Sequence, residues 1–379
     1  MKQTDHKCLT ALFYVISLTA MIAPAGCSRT AHSPAATVRV IAVDVDRAGI
    51  LKLSEYFEDV SYVALSDSCL VGEIERAKVY GDKLFLLSGK SLIVFDVNTG
   101  DALLELNRFG SGPGEYLSLT DILYDADDNT IELLDMRGRK ICRYGLDGRF
   151  TGETAMPFPS FAFHKAGRSA YLFYNNNMVS DSTDGKLIRY DTQTSEITAS
   201  YFPIDKHMAS YFYVIDASNF GSASSPTFHF SSSDTVYGFT PDYVTYPKYV
   251  LDFGKHHTPT AFYNERYEDI RDFSIKAAGM SYIYAYGNFY ENDYAAAFSF
   301  RNDDKTYWVT YDKRAQATCV ADRWLDDYHS LAPVPVAYDS SPFVMDGGHL
   351  YFFLRPALLS AGAEESNPVL VKCRFMRRL

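Results

Sequence analysis

Residues Phe109–Phe150 read FGSGPGEYLSLTDILYDADDNTIELLDMRGRKICRYGLDGRF. The stretch divides into a glycine turn, a strand, an acidic turn, a strand, a basic turn and a strand. Asp127-Asp128-Asn129 and Arg137-Gly138-Arg139 supply the turns, and Ile122–Tyr124, Ile131–Leu134 and Ile141–Tyr144 the apolar runs. This is a β-meander. Its glycines, Gly110, Gly112 and Gly114, do not match G-x-G-x-x-G, because Glu115 stands at the last position and a strand rather than a helix follows. A structural turn between sheets is therefore expected, with Glu115 and Arg108 pairing across it.

The same unit recurs along the chain. KLFLL from Lys83, TIELL from Thr130, AYLFY from Ala170, TVYGF from Thr235, YAAAF from Tyr294 and LYFFL from Leu350 line up as central strands. Each has a follower: LIVFD from Leu92, ICRYG from Ile141, LIRYD from Leu187, YPKYV from Tyr246, YWVTY from Tyr307 and LVKCR from Leu370. One meander cannot bury both faces, whereas stacked meanders can. The continuous apolarity of LFLL and LIVF fits a sheet sandwiched between two others, since half-exposed strands alternate. The expected fold is all-β: a six-bladed β-propeller with a short inserted helix, its ring closed by Val38–Val43 beside Leu370–Phe375.

The Phe109–Phe150 unit resembles an NHL-type propeller repeat, in which FG, a glycine turn, an apolar strand, an acidic turn and a strand ending in Asp follow in that order. From Val38 onward the chain is similar to the six-bladed β-propeller lipoproteins of Bacteroidetes, through EYFEDVSYVALSDSCLVGEI from Glu55, GSGPGEY, KYVLDFGKHHTP from Lys248 and the leader described next. The resemblance implies a propeller and assigns no activity.

The leader carries Lys2 and Lys7 before a nearly uncharged run from Cys8 to Ala23, too short for a comfortable membrane span. It ends in Pro24-Ala25-Gly26-Cys27, similar to a bacterial lipobox with Pro24 where Leu is usual. Residues 1–26 are thus expected to be a lipoprotein signal peptide, Cys27 the lipid attachment site, 27–37 a polar tether and 38–379 the propeller. Ala23-Pro24-Ala25 also fits ordinary small-x-small cleavage, which would release the protein unanchored. The protein is expected to be exported and held in the cell envelope, on the periplasmic or the surface side, by the lipid alone.

Cys69, Cys142, Cys319 and Cys373 are widely spaced with no C-x-x-C, and the nine histidines form no metal-binding pattern. No metal or cofactor is expected, and the thiols are expected to be free. A net charge of −11 repels phosphate backbones and argues against nucleic acid as a partner. No catalytic constellation assembles. Ser180–Gly185, SDSTDG, resembles a sialidase Asp box only out of register and reads as a hairpin turn. Asp96, Asp135 and Asp191 end strands, where a carboxylate accepts turn N–H groups.

Two features remain. TPTAFYNERYEDIRDFSIKAAG from Thr258 reads as one inserted helix, with Thr258 as N-cap, Pro259 first, Phe262, Arg266, Ile270, Phe273 and Ala277 on one face, and Gly279 as its stop. About half of the 29 tyrosines crowd between Tyr201 and Tyr294. Tyrosine packs well in strands, and it also offers a flat apolar face with a polar tip, which suits sugar and peptide ligands. Tyr211, Tyr213, Tyr282, Tyr284 and Tyr286 are the candidate ligand-binding residues. The expected function is an envelope-anchored binding or scaffold lipoprotein for a glycan, peptide or partner protein, more in keeping with a non-enzyme. The alternative is a propeller hydrolase or lyase with a metal-assisted site at the channel mouth.

Overall fold

The computed structural model of the chain describes residues 38–212, 219–221, 226–302, 305–336, 343–358 and 366–376. Cys27 and Tyr213 lie outside the described residues, as do the leader and tether.

The chain begins with three strands that belong to sheets completed much later: β1 (Arg39–Ala42), β2 (Gly49–Lys52) and β3 (Phe57–Ala64). The first sheet follows as β4 (Ile74–Tyr80), β5 (Lys83–Ser88), β6 (Ser91–Asp96) and β7 (Ala102–Leu106). The second is β8 (Leu119–Asp125), β9 (Thr130–Asp135), β10 (Lys140–Gly145) and β11 (Phe150–Ala155). The third is β12 (Ala162–Lys165), β13 (Ala170–Tyr174), β14 (Gly185–Asp191) and β15 (Glu196–Pro203). The fourth has β16 (Thr227–Phe228), β17 (Thr235–Phe239) and β18 (Thr245–Asp252), with β1 added outside β18 in parallel.

Helices α1 (Thr260–Tyr263) and α2 (Ile270–Gly279) then intervene. The fifth sheet is β19 (Ala285–Glu291), β20 (Ala295–Asn302), β21 (Lys305–Asp312) and β22 (Ala317–Leu325), extended by β2 in parallel and by β23 (Val334–Pro335). The sixth is β24 (Val344–Asp346), β25 (His349–Leu354) and β26 (Val369–Phe375), with β3 antiparallel outside β26.

Among the described residues, then, five sheets have the four-stranded form of a blade, and the one after the helices has six strands. Five blades, rather than the expected six, thus have the four-stranded form. Six apolar clusters join successive sheets in cyclic order. One packs Leu84 and Phe95 of the first sheet against Phe353 and Leu370 of the last, and another seats Trp308 and Trp324 of the fifth against Phe352 and Val371. Both faces of each inner sheet are thus covered, which is why Leu84–Leu87 and Leu92–Phe95 are apolar throughout and fully buried. This is an all-β propeller.

The twelve central and following runs all fall on strands, and each pair is antiparallel neighbours. Ring closure differs from expectation. Val60 pairs with Cys373, so β3 closes the last sheet, while Arg39–Ala42 pair with Tyr249–Asp252 of the fourth. The reason lies in the helices. They occupy the path from β18 to β19 where an outer strand would run, and β1 fills the vacated edge. Residues 39–64 thereby form a strap over the outer edges of three consecutive sheets.

The inserted helix is two helices. The Thr258 hydroxyl donates to the Ile283 carbonyl at 2.8 Å instead of capping, and the Asp269 carboxylate accepts the Arg271 and Asp272 N–H groups, starting α2 afresh. Phe273 and Ala277 are buried, as the expected face requires.

The glycine loop is a structural crossing from β7 to β8. The Tyr116 hydroxyl reaches the Leu106 and Lys90 carbonyls at 2.8 and 3.0 Å, and Arg108 donates its N–H to it. Glu115 turns into the loop and accepts the Gly112 N–H at 2.8 Å in place of the expected pairing with Arg108. A Cβ on Gly110 would lie 2.1 Å from that carboxylate, and Gly114 has φ +71°. Asp96, Asp135 and Asp191 accept turn N–H groups as expected. Ser180 and Thr183 bridge within the turn between β13 and β14, and the four cysteines of the described residues are free.

Candidate functional site

The inner strands carry charge where a core strand would carry none. On β4, Arg76 is buried and Lys78 nearly so; on β8, Asp121 is 1% exposed. Lys78 Nζ lies 2.8 Å from Asp121 Oδ1 and Arg76 Nε 3.7 Å from the same oxygen, while Oδ2 accepts the Phe163 N–H of β12 at 3.0 Å. One carboxylate thus ties three inner strands together. Burial pulls the Lys78 ammonium below its ordinary pKa, against the attraction of Asp121.

Beside this knot, toward the C-terminal ends of the inner strands, lies a cavity of about 320 Å³. Every sheet contributes to its wall: Lys78 and Tyr80 from the first, Tyr124 and Asp125 from the second, His164 and Lys165 from the third. Phe220 and Gly221, Tyr290, and Asp346 come from the fourth, fifth and sixth. It is the end of the central channel. A cavity of this size, mostly apolar with a few convergent polar groups, is of the kind that takes small ligands.

The polar groups differ in state. Lys165 Nζ pairs with Asp125 Oδ2 at 2.5 Å, which holds the Asp125 carboxyl below the usual range. The Tyr124 hydroxyl donates to Asn129 Oδ1, and the Tyr290 hydroxyl to the Phe343 carbonyl. Burial pushes the Tyr80 hydroxyl well above its ordinary pKa and raises the Asp346 carboxyl, to which the Gly81 N–H donates at 3.3 Å. His164 stacks on Phe220 with centroids 5.5 Å apart; burial, with Lys78 nearby, lowers it to about 4. Among the described residues no three His, Cys, Asp or Glu side chains converge as a metal site.

This sets an acid limit on the fold. His164 and the buried His229, also lowered to about 4 by desolvation, are neutral in the folded chain, whereas in the unfolded chain they titrate near 6.5. The unfolded state takes up protons first, so the stability is intact above about pH 6.5 and is lost as pH falls through 4. Denaturant melts at pH 7 and pH 4 are expected to differ by roughly 2–3 kcal/mol per histidine. A His164→Gln variant removes its share of that difference.

The sequence-derived tyrosines lie elsewhere. Tyr211, buried, packs with Phe212, Phe262, Tyr267 and Phe273 under the two helices, its hydroxyl donating to the Tyr263 carbonyl. Tyr282 and Tyr284 sit partly buried against the same cluster. Tyr286 is buried between the fourth and fifth sheets, stacked on Phe253 at 5.7 Å. The structure brings the first three together and separates Tyr286 from them, and none lines the channel cavity. The sequence reading placed the inner strand of the second sheet, at Ile122–Tyr124, but lined up only central and following strands elsewhere and so missed the other inner ones. Their signal is charge within an apolar strand, at Arg76, Lys78, Asp121 and His164.

The fold is shared with solved structures. A protein of Bacteroides fragilis, provisionally named as exported, superposes with a TM-score of 0.68 at 17% identity over 90% of this chain and 100% of its own. A DUF4221 family member from Bacteroides vulgatus gives 0.50 at 10% identity over 84% and 97%. No curated protein matches. The family model described as a domain of unknown function, DUF4934, matches residues 36–374, nearly all of the propeller with its strap and channel, and the chain belongs to that family.

Proposed function

We propose that this protein is an exported, lipid-anchored propeller that binds a small molecule, or the tip of a glycan or peptide, in the channel-end cavity. The observation that carries this reading is the convergence of aromatic and charged side chains from all six sheets on one cavity. In this reading the six-stranded sheet counts as the sixth blade, the repeats are degenerate relatives of NHL repeats, and Cys27 is the anchor. The similarity to the Bacteroides protein provisionally named as exported supports the location. Tyr282 and Tyr284, half-exposed beside the helices, offer a second contact surface for a larger partner, to which Tyr211 and Tyr286 contribute only by packing.

A thermal-shift screen of glycans and peptides tests the binding role. A ligand that binds only the folded state at a hundred times its Kd stabilises by about 2.7 kcal/mol, a shift of a few degrees for a domain of this size. Hydrolysis of a glycan or lactone that disappears on chelation would overturn the non-enzymatic reading. If Tyr282→Ala with Tyr284→Ala leaves a ligand's shift unchanged, the second surface falls. Cys27→Ser is expected to move the protein from the membrane pellet to the soluble fraction; unchanged fractionation would remove the anchor.

A further inference from the structure

We infer that the channel-end cavity is built for an organic ammonium group, with Asp346 as its counter-ion and Tyr80 and Tyr124 as its aromatic wall; the inference rests on the binding role proposed above.

The charges on the wall sort by whether they are already compensated. Lys78 is held by Asp121 and Lys165 by Asp125. Glu132 is held by Arg143, with Nε 2.8 Å from Oε1. Asp346 accepts the Gly81 N–H at 3.3 Å and a backbone N–H at Gly347, with the His349 imidazole nearby, and Asp127 also lines the wall; among the described residues neither carboxylate is in an ion pair with a lysine or arginine. The charge left to a ligand is therefore negative. An anionic ligand would face Asp346 and Asp125 while both lysines are already engaged. A neutral ligand would leave Asp346 uncompensated in a half-buried site, which is costly.

The aromatic groups select the same chemistry. The Tyr80 and Tyr124 ring centroids are 6.0 Å apart with planes at 63°, so the two rings form a corner. A ring face attracts a cation through its quadrupole, most strongly where water is excluded. A bare metal ion would find two carboxylates outside ion pairs, Asp346 and Asp127, and among the described residues no set of three ligands, whereas an alkylammonium uses both its charge and its apolar flanks. Burial also holds the Asp346 carboxyl above its usual range, as expected of a carboxylate lacking its cation.

The test uses the full chain, with choline and ethanolamine as probes and 3,3-dimethylbutan-1-ol as the uncharged isostere of choline. Calorimetry is expected to show at least one ammonium probe binding about tenfold or more tighter than the isostere, with Asp346→Asn losing about tenfold for that probe. Equal affinity for choline and its isostere, with no binding of ethanolamine, overturns the inference. So does retained ammonium affinity in Asp346→Asn. Should that variant fail to fold, Tyr124→Leu replaces it, with the same loss expected. A glycan that stabilises wild type and Asp346→Asn equally, with no ammonium binding, overturns the inference but leaves the binding role standing. No stabilisation by any glycan, peptide or ammonium probe removes both.

Discussion

Asp121→Asn is expected to destabilise the protein by about 3–5 kcal/mol, because it removes the carboxylate that Lys78 pairs with and that lies beside Arg76 inside the ring. Arg76 is 2% exposed, and Lys78, on the cavity wall, lies 2.8 Å from the carboxylate. Asparagine fills the same volume and still offers one carbonyl oxygen, so the loss is electrostatic and creates no cavity. The Phe163 N–H competes for that oxygen, which loosens β12 as well. Urea denaturation of the variant at pH 7 measures the effect. A change under about 1 kcal/mol would mean that water already solvates the knot. Lys78→Met is expected to cost less, since Asp121 keeps Arg76 and the Phe163 N–H.

Deletion of residues 38–64 is expected to abolish cooperative folding. The strap buries Ile41, Val43, Leu51, Leu53, Phe57 and Val60, each 5% exposed or less. At roughly 1.5–3 kcal/mol per buried apolar side chain, their loss is comparable to the entire stability of a domain. It also exposes the edges of β18, β22 and β26. Removing residues 38–43 alone takes away β1 with Ile41 and Val43 and leaves β3 on β26. That shorter deletion is expected to fold with reduced stability. Circular dichroism and limited proteolysis distinguish the two. If the long deletion unfolds cooperatively near the wild-type midpoint, the strap is dispensable.

What the sequence discloses here follows the physics of each element. The central and following strands are long, apolar and flanked by Asp and Gly turns, so local pattern is enough to find them. Inner strands are another matter. β16 has two residues and β24 three, and β4 and β8 carry buried ions whose compensation comes from a neighbouring sheet. A charge inside a strand looks like exposure until its partner is known. The helices mislead because Asp269 caps its own successors, a contact as local as continued helix. Ring closure was ambiguous because no local feature of Val38–Val43 says that its partner is parallel and belongs to the fourth sheet, and the polar residues Glu58, Asp59 and Ser61 hide the outer strand that β3 supplies to the last. The cavity is harder still, since each sheet contributes only a few residues at positions set by register. Tyrosine density drew attention to Tyr201–Tyr294, where among the described tyrosines Tyr290 alone lines the cavity.

The strap has a consequence for the order in which the protein is made. β3 leaves the ribosome among the first strands, yet its partner β26 is the last. A growing chain can complete its first three sheets in turn, each from contiguous sequence, but the fourth, fifth and sixth each borrow a strand from residues 39–64. Loop closure over nearly the whole chain must precede the contacts that reward it, which places the final step among slow, high-contact-order events. β1, β2 and β3 have free edges until β18, β22 and β26 follow in turn, and are open to pairing with other chains in the meantime, β3 the longest. A chain interrupted before Val369 can seat β1 and β2 but holds β3 unpaired, so kinetic control of folding falls on the time between the synthesis of β3 and that of β26.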